Sequence, residues 1–197
     1  MTSASRDAAG AAPVISAHER LVAAPITIER VHRVRFPTHR IGCDDGTLVA
    51  ETGWFSWLAV YFGPGLRLHL ADGTPWRIRS VEYGGALCPV LADPQGRRIA
   101  MATQGDRGRG GMERVSRYGI NGPDYGFVLN AADPGMGRAR RWLLVEHEEE
   151  IAVVTRRPTR MDPHRPVPLG AAVLCLLLAR FGLPGDADLG APRFRWD

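Results

Sequence analysis

The sequence predicts a mainly β protein, an antiparallel β-barrel of about twelve strands, built as a hairpin meander, that encloses a C-terminal apolar α-helix. One observation is a series of Asp-Gly and Asp-Pro-x-Gly turns between short apolar or alternating segments. The other is an apolar run near the C-terminus with no polar face, which is stable in water only when it is buried on all sides. A closed barrel around the helix explains both, because closure also removes exposed sheet edges. A sandwich with the helix against one side is the alternative arrangement.

The turn signals divide the chain into hairpins. They are Asp44-Asp45-Gly46, Asp72-Gly73, Asp93-Pro94-Gln95-Gly96, Asp133-Pro134-Gly135 and the polar turn Glu148-Glu149. Asp-Gly between alternating apolar residues is a strong hairpin signal, because glycine adopts positive φ without a steric penalty. This spacing favours strands joined by tight turns over a chain of βαβ units.

The apolar helix is predicted over residues 168–181. Pro168 suits the first helical position, and Gly182 with Pro184 marks the end. About 13 residues at 1.5 Å per residue give a length of roughly 20 Å, whereas a bilayer needs about 20 apolar residues. A helix buried in the protein is therefore favoured over a membrane span.

The 197 residues allow one domain with tails. We expect a disordered N-terminal tail at residues 1–24, because this stretch is rich in small residues and has no periodicity. The barrel is expected over residues 25–185 and a C-terminal tail over 186–197.

The cysteines indicate a reducing compartment. Cys43, Cys88 and Cys175 are odd in number and far apart, and they show no zinc-ligand spacing. The first residues lack a basic segment followed by an apolar one, which a signal peptide needs. A cytoplasmic protein is expected, peripheral to a membrane if it binds lipid.

Positive charge is concentrated in one segment. All 25 basic residues are arginine and the net charge is +4, a composition that most simply reflects a GC-rich coding bias. The candidate anion-binding residues are Arg97, Arg98, Arg107, Arg109, Arg114 and Arg117. With only Asp106 and Glu113 among them, six minus two gives +4 for this stretch. Arginine is a bidentate donor to phosphate, so the segment is a candidate anion site; the alternative is a long flexible hairpin loop.

The densest aromatic segment is Trp54–Phe62. Its candidate surface residues, for a membrane interface or a protein partner, are Trp54, Phe55, Trp57 and Tyr61. The alternative is burial, either as a strand that is apolar on both faces or as a short helix lying on the barrel.

Catalytic and metal-binding motifs are not found in the sequence. It contains no G-x-S-x-G, Walker A or H-E-x-x-H pattern, and the six histidines do not pair at helical spacing. No catalytic residue, metal or cofactor is therefore expected. Nucleic acid is not an expected partner, since no aromatic residue is interleaved in the Arg/Gly stretch.

Three segments, in this order, carry a resemblance to a known group. Leu87–Gly96 with Arg98–Ala102 is typical of a strand, an Asp-Pro-x-Gly turn and a strand; Arg141–Val145 leads to Ile151–Arg157; and Val167–Phe181 follows. The order resembles the tubby C-terminal-like superfamily, which includes the LURP-one-related proteins and the phospholipid scramblases. The resemblance implies a β-barrel around a central C-terminal hydrophobic helix.

The resemblance also implies lipid or membrane association more than catalysis. Tubby domains bind phosphoinositides through basic side chains, and scramblases associate with bilayers and calcium. This chain has no cysteine-rich cluster like the scramblases' acylated one and no EF-hand spacing, and no family motif maps onto specific positions.

The expected function is a non-enzymatic binding module that associates with a membrane surface or with acidic phospholipid head groups through the Arg97–Arg117 region. The first alternative is a soluble protein-interaction or structural module that uses the aromatic segment. The second is a small-ligand or enzymatic barrel whose site the sequence does not reveal.

Overall fold

The computed structural model describes residues 20–31, 38–53, 55, 57–104, 117–132 and 140–182. The first seven strands are β1 (Leu21–Val22), β2 (Ile26–Val31), β3 (Thr38–Cys43), β4 (Leu48–Thr52), β5 (Leu66–Leu70), β6 (Pro75–Tyr83) and β7 (Ala86–Ala92). The next seven are β8 (Arg98–Gln104), β9 (Arg117–Asn121), β10 (Gly126–Ala131), β11 (Arg141–Glu146), β12 (Glu149–Arg156), β13 (Thr159–Pro163) and β14 (Val167–Pro168). The helices are α1 (Trp57–Phe62) and α2 (Leu169–Phe181).

Twelve strands, β2 to β13, form a closed antiparallel barrel. Each strand pairs with the next one along the chain, and the ring closes where Arg160 and Met161 of β13 pair with Thr27 and Ile26 of β2. The predicted fold class, a closed meander barrel with a C-terminal helix, is confirmed.

The apolar helix fills the barrel. Every residue of α2 from Leu169 to Ala179 is buried, and α2 contacts β2, β8, β9, β12 and β13. Close packing on the wall requires glycine at one position, because a Cβ on Gly170 would lie 2.4 Å from Cγ2 of Ile99. The helix begins one residue later than predicted and ends before Gly182, whose φ of 67° stops it.

A short sheet outside the barrel joins the first and last strands. β1 pairs with β14, and the Leu169 N–H at the start of α2 donates to the Arg20 carbonyl over 2.8 Å. The ordered structure therefore starts before residue 25, and the predicted boundary of the N-terminal tail is wrong by at least five residues. The rest of that tail, and the predicted C-terminal tail, lie outside the described residues.

The predicted turns are largely confirmed. Gly46, Gly73 and Gly96 adopt φ of 81–83° in the first three hairpins, as the hairpin signal requires. The polar turn falls one residue earlier than expected, at His147 and Glu148, both with positive φ. The Asp133–Gly135 turn lies outside the described residues.

The aromatic segment contains the short helix α1 between β4 and β5, so the strand interpretation is wrong and the helix interpretation is correct. α1 packs against β6 and β7. Within the described residues, neither helix combines the length and the apolar character needed to cross a bilayer.

Candidate anion-binding surface

A row of arginines crosses the outer face of the barrel. The turn at Gly73 sets the β5–β6 register and pairs Arg67 directly with Arg77. Both side chains are exposed, while Leu68 and Trp76 of the same strands point inward and are fully buried. The inward residues fix the face, because side chains alternate along a strand.

A β-bulge brings a third arginine into this row. Ala92 of β7 pairs with Arg77 on one side and with Arg98 on the other. The register shifts next to this pair, leaving Ile99 as the extra residue of β8. Three strand spacings of about 4.8 Å put the Cα atoms of Arg67 and Arg98 roughly 15 Å apart. Arg79, two residues beyond Arg77 on the same face, adds a fourth charge. We call Arg67, Arg77, Arg79 and Arg98 the arginine face.

The arginine face has no internal neutralisation. None of its four members forms an ion pair with another described residue, and the outward positions of β5 to β8 carry no Asp or Glu. Like charges directly opposite each other across an antiparallel pair are destabilising. An arrangement that costs stability and concentrates guanidinium groups suits the binding of an external anion.

Exposed apolar side chains continue the same side of the sheet. β6 and β7 are joined by Gly84 and Gly85, with φ of 60° and 76°. Near this turn, Val81 and Tyr83 are 38% and 58% exposed, and they share the outward face with the arginines. Leu87 of β7 is 49% exposed, but it pairs with Glu82 and lies on the opposite face of the hairpin. Along the outward face of β6, two exposed apolar side chains thus follow the two arginines.

A cavity of about 620 Å³ lies beside the arginine face. It is lined by Tyr83, Gly84, Ala86, Cys88, Arg98, Met101, Thr103, Gln104, Asn121, Gly122 and Tyr125. Arg98 therefore belongs both to the arginine face and to the cavity wall. No carboxylate is found among the lining residues that belong to the described part of the chain.

The cavity wall is held rigidly at Tyr125. Its hydroxyl donates to the Ile99 carbonyl over 2.9 Å, and its ring lies so close to Gly122 that a Cβ there would be 2.2 Å from ring carbons. The ring also stacks on Phe127, with centroids 5.0 Å apart. Burial raises the pKa of the Tyr125 phenol, which keeps it protonated. Burial likewise raises the pKa of the Cys88 thiol, which disfavours the thiolate form of this sulfur.

The structure separates the six arginines predicted from the sequence. Arg97 Nε donates to Asp93 Oδ2 over 2.6 Å, so its charge is already neutralised. Arg98 lies on the arginine face, whereas Arg117 starts β9 next to the end of β8, at the opposite end of that strand pair. Arg107, Arg109 and Arg114 lie outside the described residues. Arg67, Arg77 and Arg79 were not predicted as site residues.

The aromatic candidates are also separated. The Phe55 side chain is only 6% exposed and stacks on Phe181 at a centroid distance of 4.4 Å, so its predicted place on the surface is wrong. Tyr61 is half-buried against the core, and burial raises the pKa of its phenol. Trp57 belongs to α1, but its side chain and all of Trp54 lie outside the described part of the chain.

Metal-ligand geometry is not found in the described part of the chain: no three His, Cys, Asp or Glu side chains there are grouped to hold an ion.

No family model, curated protein or solved structure matches the chain. The resemblance to the tubby C-terminal-like superfamily stays a prediction.

Proposed function

We propose that the protein is a non-enzymatic binding module that associates with anionic phospholipid surfaces through the outer face of β5–β8. The observation that carries the proposal is the arginine face, in which Arg67, Arg77 and Arg98 share one row and no described carboxylate neutralises them. Such a protein would be cytoplasmic and peripheral to the membrane.

The two-dimensional layout of the charges supports a lipid surface. Arg67, Arg77 and Arg98 extend across the strands, and Arg79 extends the array along β6. Head groups of anionic lipid also form a two-dimensional array, and each arginine near such a surface contributes about 1 kcal/mol of attraction. Guanidinium groups pair with phosphate through two parallel hydrogen bonds.

The apolar residues near the β6–β7 turn support the same partner. Tyr83 and Val81 project from the arginine side of the hairpin and are exposed. A tyrosine ring suits the boundary between head groups and hydrocarbon, because its body is apolar and its tip is polar. A membrane interface offers phosphate and hydrocarbon together, whereas a nucleic-acid backbone offers only the first.

Flotation with lipid vesicles tests the proposal. Wild-type protein is expected to float with phosphatidylcholine vesicles that contain phosphatidylserine, but not with phosphatidylcholine alone, and high salt should abolish binding. The triple variant Arg67→Ala/Arg77→Ala/Arg79→Ala should bind about 100-fold more weakly, since three contributions of about 1 kcal/mol are lost.

Arg157→Ala is the matched control. Arg157 is exposed in the β12–β13 turn, on the far side of the barrel from β5–β8, so this variant should bind like wild type. Equal flotation with neutral and anionic vesicles, no flotation with either, or full binding by the triple variant would each refute the proposal.

A further inference from the structure

An apolar cluster lies on the outside of the barrel. Cys88, Val90 and Met101 are 3–4% exposed and form a cluster separate from the main core. Val90 pairs with Met101 across β7 and β8, and Val90 also pairs with the outward Arg79. All three residues therefore lie on the outer face, where an antiparallel barrel in water normally carries polar side chains.

Two residues of this cluster form an apolar floor in the cavity described above, and Val90 lies behind them. Cys88 and Met101 line the cavity, and the ring of Tyr83 stands at its edge. Polar groups surround the floor: the Arg98 guanidinium, the Asn121 amide and the Thr103 hydroxyl, which makes only a long 3.5 Å contact with the Gly119 carbonyl. Pockets of 300–1,000 Å³ with an apolar lining and a few convergent polar groups are typical of small-molecule sites.

The charges determine the class of ligand. Among the described residues that line the cavity, Arg98 alone carries a charged side chain, so this part of the wall matches one negative charge. A carboxylate is a planar monoanion that fits the guanidinium fork through two parallel hydrogen bonds. A phosphate monoester carries close to two negative charges. Its binding therefore requires more positively charged side chains than this wall provides.

We infer that the cavity binds a small organic carboxylate, with the carboxylate on Arg98 and an apolar body over Met101 and Cys88. The Tyr125 and Tyr83 side chains also line the cavity and add aromatic surface for the apolar body. This site goes beyond the proposed function. It shares Arg98 and Tyr83 with the proposed membrane surface, but Arg67, Arg77 and Arg79 do not line the cavity, so the two proposals can be tested separately.

Titration with 1-naphthoate tests this inference, and the uncharged 1-naphthamide is the matched probe. Calorimetry or ligand-observed NMR should show saturable binding of naphthoate that is at least about ten-fold tighter than binding of the amide. Arg98→Ala should lose this preference for naphthoate. Arg98→Lys should keep part of the preference, because lysine supplies a positive charge but not the bidentate guanidinium. Arg157→Ala should leave both affinities unchanged.

A second variant tests the cavity rather than the charge. Ala86 is exposed at the cavity wall, so Ala86→Trp should fill the space and weaken both probes while circular dichroism stays like that of wild type. The inference is overturned if wild type shows no saturable naphthoate binding, if the amide binds equally well, or if Arg98→Ala or Ala86→Trp folds and binds normally.

The two proposals fail in different ways. The variant Arg67→Ala/Arg77→Ala should weaken vesicle binding and leave naphthoate binding unchanged. Loss of naphthoate binding in that variant would overturn the separate cavity site, whereas loss of vesicle binding alone supports both proposals.

Discussion

Two sides of the barrel use arginine in opposite ways. On the β11–β13 side, Arg165 pairs with Glu146 and Glu149. Arg160 pairs with Asp44 at 2.7 Å and with Asp162 at 2.6 Å. On the β5–β8 side, Arg67 and Arg77 lie opposite each other, and neither forms an ion pair with a described carboxylate.

The difference shows what a coding bias can and cannot explain. A bias accounts for arginine replacing lysine throughout the chain, including the arginines that are neutralised in ion pairs. It does not by itself determine where the carboxylates lie, and the outward positions of β5 to β8 carry four arginines and no Asp or Glu. The partners of an arginine, rather than its abundance, therefore indicate a binding surface.

Both sides depend on the same helix, so breaking it should have the largest effect. Leu176 is fully buried in α2. Leu176→Asp removes apolar burial and places a carboxyl group in the core without partners, at a cost comparable to a net stability of about 5–15 kcal/mol. We expect no soluble, cooperatively melting protein, as judged by circular dichroism and gel filtration.

Leu176→Met is the control for that substitution. It conserves volume and apolar character, so it should cost less than about 1.5 kcal/mol and leave both sides of the barrel intact. A soluble Leu176→Asp protein with a sharp melting transition would contradict the central position of α2.

The Arg97–Asp93 pair should have a smaller, pH-dependent effect. Desolvation by burial raises the pKa of the Asp93 carboxyl, but hydrogen bonds from the side chain and backbone of Arg97 outweigh it and lower the pKa overall. A carboxyl with a lowered folded-state pKa stabilises the fold above its unfolded pKa of about 3.9, and this contribution is lost as the pH falls through the folded value.

Asp93→Asn should therefore reduce the free energy of unfolding by about 1 kcal/mol at pH 7, with Arg97 exposed and screened. The difference from wild type should shrink as the medium is acidified below about pH 4. Urea denaturation at several pH values measures it. A difference that stays constant with pH would show that the charge of Asp93 is not what stabilises this turn.

The smallest predicted effect has opposite signs on the two sides. Arg77→Gln removes a like-charge contact with Arg67 and should raise the free energy of unfolding by a few tenths of a kcal/mol. Arg160→Gln removes ion pairs with Asp44 and Asp162 and should lower it by about 0.5–1 kcal/mol. Matched urea titrations at low salt compare them, and equal signs would contradict the distinction between the two sides.

Part of the arginine face could have been predicted from the sequence. The Asp72-Gly73 turn was recognised, and counting outward from it pairs His69 with Pro75 and then Arg67 with Arg77. The Gly84-Gly85 turn was equally readable, because Gly-Gly is a hairpin signal. Because the residues of each turn determine the strand register on either side of it, these registers can be predicted from the sequence.

Other parts of the site depend on contacts that local patterns do not contain. Arg98 joins the row only because Ile99 forms a bulge, and nothing in the apolar run of β8 marks which residue is extra. Phe55 is buried against Phe181, which lies far away in the sequence, near the C-terminal end of the described chain. Arg97 and Arg98 are adjacent, yet one is neutralised in a turn and the other faces outward, so charge density along the chain could not separate them.

The order of elements along the chain has a consequence for biosynthesis. Every barrel strand is synthesised before α2, the segment that fills the space between them. β1 likewise cannot form its two-stranded sheet until its partner β14, which adjoins α2, has been synthesised. At about 5–20 residues per second, the ribosome needs roughly 7–30 seconds to travel from β1 to β14. During that time the inward side chains of β2 to β13 have no helix to pack on, so the apolar core cannot be completed until the last helix emerges.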